Sequence, residues 1–283
     1  MLPDRIKEFL HDFRLTENTG ACVIKGFPIN NSEIGKTPVH WKDSSKNTDT
    51  VKQEMLFVLY GSILGDVFGW SSEQGGKLIQ DILPIKGDEN KQLNTASEEL
   101  IWWHTEDSFQ PYAPDYLGLF CLKNFEKAST TYAAIESIEL GDEHKDILLG
   151  DNFVFEPDNA HKKENNVDAD FVEPDAIKSS ILFGEKNHPY LRIDPYFMDR
   201  NGESAEEKEA FDAIIKAFDE VVGDVVLEPG DALFVDNFKA IHGRKPFYAK
   251  YNGDDRWLKR IRIARDLRKS RSKRGAVDNR ILS

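Results

Sequence analysis

Ile101-Trp102-Trp103-His104-Thr105-Glu106-Asp107 is the stretch on which the reading of this chain turns. His104 and Glu106 stand two residues apart, so on a strand, where side chains alternate between faces, both point the same way. An imidazole and a carboxylate converging from one backbone are two of the three protein ligands of a 2-His-1-carboxylate facial triad. That arrangement suits non-haem Fe(II) and leaves coordination positions open. Alone, a His-x-Glu pair arises by chance in many chains and sits in solvent. Its weight comes from its surroundings.

Those surroundings are short strands. Candidates lie at 77–83, 101–106, 117–123, 130–135, 152–156, 179–184, 190–193, 225–227, 231–236 and 258–265, separated by turn clusters such as Glu228-Pro229-Gly230-Asp231. Many short strands with turns between them predict a mainly β sandwich or jelly roll with flanking helices, rather than an alternating βαβ sheet. Upstream, Ile6, Phe9, Leu10 and Phe13 have helical spacing, Ala21–Phe27 reads as a strand, and Thr50-x-x-Gln53 resembles a capping box. The helix it opens runs to about Leu64, with Met55, Val58 and Leu59 expected inward. Downstream, Ser204-x-x-Glu207 is a second capping box. Phe211, Ile214, Ile215, Phe218, Val221 and Val222 form its apolar stripe, and Gly223 stands at the C′ position. Two polar stretches, Lys86–Glu99 and Glu156–Asp175, read as long loops of the kind that cover binding sites.

At 283 residues, with 40% hydrophobic content, the chain reads as one domain over 1–283. Its jelly-roll core spans about 77–265, and helical and strand elements precede it over 1–70. No apolar run approaches the ~20 residues of a membrane span, and the N-terminus lacks the apolar h-region of a signal peptide. Cys22 and Cys121 form no CxxC and read as buried thiols in a reducing compartment, so a cytoplasmic location is expected. Residues 256–274 carry ten Lys/Arg against one acid, Asp266, within a chain of net charge −13. The acidic remainder would repel phosphate backbones, which argues against a nucleic-acid partner.

A third ligand of the triad should be another histidine. His11, on the first helix beside its apolar stripe, and His144 and His161, in charged segments, read as surface residues, while His40 is ambiguous. His242 stands apart: it follows the apolar strand Asp231–Asp236 and precedes Gly243-Arg244. Fourteen residues beyond it lies Arg256. If 256–265 is extended, Arg256, Leu258, Arg260 and Arg262 share one face, and Trp257, Ile261 and Ile263 the other. Arginines on one strand face are odd for a core but sensible for gripping carboxylates bidentately.

His104-x-Glu106, His242 with Gly243-Arg244, and Arg256 beyond them resemble the Fe(II)/2-oxoglutarate oxygenases of the clavaminate synthase-like group. More narrowly, the chain is similar to the free amino-acid hydroxylases of that group, which act on arginine, lysine or asparagine. The resemblance runs from about Gly20 to Arg265. It implies a double-stranded β-helix, or jelly roll, with Fe(II) held by His104, Glu106 and His242 and with 2-oxoglutarate and dioxygen as cosubstrates. Arg256 would pair with the distal carboxylate of 2-oxoglutarate. Thr131, or Thr130 under a one-residue shift, would hydrogen-bond it. Arg260 matches an arginine turned toward the substrate α-carboxylate, and Gln74 one contacting its amine.

Asp194 falls where arginine hydroxylases of the group place a guanidinium-binding aspartate, or else it caps the turn before Pro195. The family's second aspartate, two residues on, is here Tyr196. Related iron halogenases have a small residue in place of the carboxylate ligand; Glu106 retains it, which favours hydroxylation. The reaction implied is hydroxylation at C3 or C4 of a free, basic L-amino acid, with release of succinate and CO2. Desaturation or ring formation by the same iron centre, and a non-catalytic jelly-roll module, are the alternatives.

Overall fold

The computed structural model describes residues 2–44, 49–162 and 173–283. In chain order its strands are β1 (Ala21–Ile24), β2 (Asp66–Trp70), β3 (Gln80–Ile82), β4 (Ile101–His104), β5 (Tyr116–Lys123), β6 (Thr130–Ala134), β7 (Phe153–Phe155) and β8 (Ile177–Ser179). They continue with β9 (Leu182–Glu185), β10 (His188–Leu191), β11 (Met198–Asp199), β12 (Gly223–Val225), β13 (Ala232–Asp236), β14 (Ala240–Arg244), β15 (Trp257–Ala264) and β16 (Ile281–Leu282). The helices are α1 (Asp4–Thr16), α2 (Asn31–Ile34), α3 (Val51–Leu64), α4 (Asp142–Leu148) and α5 (Ala205–Val221).

Two sheets carry the fold. The major sheet runs β1-β13-β5-β15-β2-β16, with β3 also on β15, and the minor sheet runs β12-β6-β14-β4. Strand alternation divides their residues into layers. Between the sheets, Leu117, Leu119, Leu233, Val235 and Leu258 of the major sheet meet Tyr132 and Ala240 of the minor one. On the outer face of the major sheet, Leu10, Phe13, Phe57, Tyr60 and Leu64 of α1 and α3 pack against Tyr116, Phe120, Phe234, Ile261 and Ile263. Beyond the minor sheet, Trp103, Ala133 and Ile241 pack against Phe211, Ile214 and Phe218 of α5. Each fully buried side chain of this size contributes about 1.5–3 kcal/mol. The result is the helix-flanked jelly roll expected from the sequence.

The capping box of α5 is present: Ser204 Oγ accepts from Glu207 N at 3.1 Å and Glu207 Oε2 from Ser204 N at 2.7 Å. Other expectations need correction. On α3 the buried stripe is Phe57, Tyr60, Gly61 and Leu64, while Met55 and Leu59 face outward. Gly61 turns the helix, since a Cβ there would come within 2.8 Å of Ile261 Cδ1. Its missing side chain lets α3 lie directly on β15, which fixes the inward face. The Thr50 hydroxyl bonds the Glu54 carboxylate rather than closing a capping box. Gly223 opens β12 instead of ending α5 in a left-handed turn.

Strand candidate 179–184 divides between β8 and β9, and β2, β11, β14 and β16 were missed. His161 is no surface residue: it is 1% exposed, packed against Phe109 and Trp70. Of the expected loop Glu156–Asp175, residues 163–172 lie outside the described residues. Among the described residues no helix is long and apolar enough to cross a membrane.

Candidate active site

Register brings the two histidines together. β14 pairs with both β4 and β6, and His242 stands directly opposite His104, with ring centroids 4.6 Å apart. Along β14, Ala240, His242 and Arg244 alternate inward while Ile241 faces α5. Gly243 lies between them, where a Cβ would come within 2.7 Å of the Ile101 carbonyl and of Thr131 Oγ1. The three strands can close up only because that side chain is missing.

The strand holding His104 ends there, two residues earlier than expected, yet Glu106 still reaches the same point. The backbone breaks at Asp107, whose φ is 53°. The buried Asn237 side chain pins the break: its Oδ1 accepts from Glu106 N at 2.7 Å, and its Nδ2 donates to Glu106 O and Pro114 O, each at 3.0 Å. Thr105 is tied to Ile193 in the same way, main chain to main chain and through its hydroxyl. Glu106 Oε2 then lies 3.8 Å from His104 Nε2 and 3.4 Å from His242 Nε2. One atom from each of the three residues fits within a 4.8 Å circle.

These residues fit a transition-metal ion. His104 Nδ1 lies 2.8 Å from the Trp102 carbonyl, which places its proton there and turns the Nε2 lone pair inward. Burial opposes ionisation of Glu106, but Arg260 and Arg262 outweigh it and hold the carboxyl well below its usual range. Both arginines bond Oε1, at 2.8 and 2.7 Å, so Oε2 alone is presented to the histidines. Arg262 in turn bonds both oxygens of Asp107, and Trp70 Nε1 donates to Asp107 Oδ2 at 2.7 Å. Burial disfavours a charge on His104, yet Glu106 and Asp194 push its pKa up to about 9; burial lowers that of His242. A second grouping, Asp107 with Asp158 and His161, has its Asp107 oxygens already committed to Arg262 and Trp70.

The triad opens into a cavity of about 130 Å³. Arg244 and Arg256 lie together on its wall, and neither forms an ion pair with any described residue. Burial lowers the pKa of Arg256 to about 10, and its Nε has no hydrogen-bond partner. A buried guanidinium without an acid is the complement of a dicarboxylate ligand, so Arg256 fits 2-oxoglutarate. Asp158, Asp194, Tyr196 and Phe197 also line the cavity. Asp194 Oδ1 caps a turn, accepting from Tyr196 N and Phe197 N at 3.2 and 3.3 Å, so the capping reading is realised on the cavity wall itself. Burial, with Asp158 adding to it, raises the Asp194 pKa to about 6.

Two sequence assignments shift by one residue. The threonine on the cavity wall is Thr130, not Thr131, because Thr131 sits opposite Gly243 and alternates to the outer face of the minor sheet. Likewise Glu73 lines the cavity, whereas the Gln74 side chain clips the backbone of Asp81, at 2.8 and 3.0 Å. Arg260 lines the cavity as expected but is held by Glu73, Gln80 and Glu106. Asp158, Glu73 and Asn237 were not found from the sequence, since none belongs to a spaced motif; Arg244 stands in the motif after His242, but no role was read for it. Both long polar stretches do reach the site, through Gln92, Leu93 and Asn94 from one and Asp158 and Ala160 from the other.

Residues 7–262 match the family described as "Taurine catabolism dioxygenase TauD, TfdA family". The L-ornithine/L-arginine 3-hydroxylase of Catenulispora acidiphila is 39% identical over 298 residues, covering 99% of this chain and 87% of that protein. The enduracididine beta-hydroxylase of Streptomyces hygroscopicus is 38% identical over 300 residues, with the same coverage of 99% and 87%. Among solved structures, the non-heme iron oxygenase OrfP in complex with Fe, succinate and (3S)-hydroxy-L-Arg superposes with a TM-score of 0.94 at 38% identity. That match covers 100% of this chain and 87% of OrfP. OrfP with Fe and alpha-ketoglutaric acid superposes at 0.90, with 38% identity and coverage of 100% and 87%.

Proposed function

The chain belongs to the TauD/TfdA family of dioxygenases, and from that premise we infer its reaction. It is the Fe(II)- and 2-oxoglutarate-dependent hydroxylation, at C3 or C4, of a free basic L-amino acid of the arginine type. The observation that carries the substrate class is the charge make-up of the cavity that the triad opens into: its wall holds Arg256, which has no ion-pair partner among the described residues, and also the carboxylates Asp158 and Asp194. A dianion suits Arg256 and a cationic side chain the two carboxylates.

His104, Glu106 and His242 would hold the iron, and the remaining positions stay open for the cosubstrates. When bound, iron with 2-oxoglutarate and dioxygen supplies the oxidising power to replace an unactivated C–H by C–OH, the keto acid leaving as succinate and CO2. The chain's own residues bind and orient. Arg256 and Thr130 take the distal carboxylate of 2-oxoglutarate. Arg260, released in part from Glu73, takes the substrate α-carboxylate, and Glu73 is placed for the α-ammonium. Asp194 and Asp158 draw the cationic side-chain end away from the metal, which sets the reacting carbon near it. Tyr196, where the family has a second aspartate, offers a ring face to the same cation, and Asp158 supplies the second carboxylate.

Residues 1–283 are read as a single working unit, supported by β1, β2 and β16, which join the major sheet from outside 77–265. Two free thiols, Cys22 and Cys121, support a cytoplasmic location. The test is 2-oxoglutarate consumption against a panel of free amino acids, with product mass under 18O2. Stoichiometric succinate with a product one oxygen heavier from arginine, ornithine or lysine is expected. Turnover stimulated by no amino acid, or only by neutral ones, would overturn the substrate reading.

A further inference from the structure

Arg244 has a place in this site that the metal and the two ligands do not account for. Its two terminal nitrogens clasp the main-chain carbonyls of Ala96 and Glu99. Those residues end the polar stretch 86–99, whose Gln92, Leu93 and Asn94 form part of the cavity wall. The stretch is folded on itself, the Glu89 carbonyl accepting from Ser97, Glu98 and Glu99 N, so its two halves are tied together. Apart from bonds to its flanking residues Ile85 and Leu100, its attachments among the described residues include three to the segment after His242: Arg244, Phe247 N to Ser97 O at 2.8 Å, and Tyr251 to Glu89 at 3.0 Å.

On its other side Arg244 meets Arg256. Both guanidiniums lie over the Phe247 ring, at 5.1 and 5.9 Å from its centroid, and no described carboxylate pairs with either. Two cations sharing one half-buried ring repel each other until an anion arrives. We propose that Arg244 is a positioning residue for the amino-acid pocket, transmitting occupancy of the 2-oxoglutarate site beside Arg256 to the wall formed by residues 86–99. An anion at Arg256 relieves the repulsion, and the fork of Arg244 then seats Ala96 and Glu99 more firmly. The inference rests on the reading of 2-oxoglutarate as cosubstrate.

The experiment is backbone hydrogen exchange on the Fe(II) protein under anaerobic conditions, with binding of each keto acid followed by calorimetry. In the unaltered protein, saturating 2-oxoglutarate should slow exchange at Ser97–Glu99 at least fivefold. 2-Oxobutyrate, which lacks the distal carboxylate, should slow it less than twofold at equal occupancy. Arg244→Lys keeps the charge but cannot span two carbonyls. It should bind 2-oxoglutarate and yet lose that protection. Equal protection by the two keto acids, protection retained in R244K, or none in the unaltered protein despite bound 2-oxoglutarate would each overturn the proposal. The comparison of keto acids needs no variant, so a misfolded R244K leaves the proposal open to refutation. Absence of 2-oxoglutarate binding would instead overturn the cosubstrate reading, and this inference with it.

Discussion

Replacing Arg256 by methionine should make the ligand-free protein more stable and its cosubstrate binding much weaker. Arg256 is 4% exposed, its Nε is unpartnered, and its guanidinium lies 5.9 Å from the centroid of the Phe247 ring. Burial moves its pKa from an ordinary 12.5 to about 10. At 1.36 kcal/mol per tenfold, a guanidinium so displaced is disfavoured in the fold by about 3 kcal/mol. The sign follows: the folded value is the lower one, so below both values the penalty is present in full, neutral pH included, and it lessens only as pH rises above about 10. Methionine fills similar space without the charge; losing the ring contact takes back about 1 kcal/mol. The net gain of about 2 kcal/mol should raise Tm by roughly 3–4 °C, measured without 2-oxoglutarate. Removing one partner of a buried carboxylate–guanidinium pair costs about 2–5 kcal/mol, so the Kd for 2-oxoglutarate should rise by about thirtyfold to several thousandfold. Differential scanning fluorimetry and calorimetry of the same preparation read both. A ligand-free variant less stable than the parent, or one binding 2-oxoglutarate normally, would refute the argument that Arg256 is an unpaired cation awaiting a dicarboxylate.

His242→Ala should keep the fold, judged by circular dichroism, and lose Fe(II)-dependent turnover and Fe(II) binding together; a folded variant with near-normal activity would sink the triad. Asn237→Ala removes three hydrogen bonds around Glu106, each worth about 1 kcal/mol, and should weaken Fe(II) affinity about 10–100-fold while lowering Tm; unchanged metal affinity would mean the kink at Asp107 holds without it. Asp194, raised to about 6, binds a cation in its ionised form, which is present above that pH and lost below it. So kcat/KM for arginine should fall as pH decreases through about 6, and Asp194→Asn should lower it at least tenfold and flatten that limb; an unaltered profile would remove Asp194 from the substrate site. Thr130→Val should raise the KM for 2-oxoglutarate, whereas Thr131→Val should leave it unchanged, and the reverse result would restore the original assignment.

The sequence by itself carried what depends on residue type at fixed spacing. His104-x-Glu106, His242 and Arg256 were visible because each sits in a local pattern, and the short strands between turns announced two packed sheets. The α5 helix was legible for the same reason: its cap and its stripe are local. What lay beyond reach was decided by contacts across the chain. The inward face of α3 was set by Gly61 meeting Ile261, a partner far away in sequence, rather than by its own periodicity.

The choice of Thr130 over Thr131, and of Glu73 over Gln74, was a matter of which neighbour alternates inward. That parity is fixed only when β6 pairs with β14 and when Gln74 clips Asp81. Asp158 and Asn237 have no motif to betray them, and the motif that holds Arg244 does not say what it grips; they act through a carbonyl, a turn or a cavity wall that distant parts of the chain supply. Even the meeting of Glu106 with the two histidines did not follow from strand alternation, since the strand ends at His104. Asn237 and the turn at Asp107 bring the carboxylate back, and only the folded chain places that amide there. Spacing along a chain fixes which groups are available, and the pairing of sheets fixes which of them face one another.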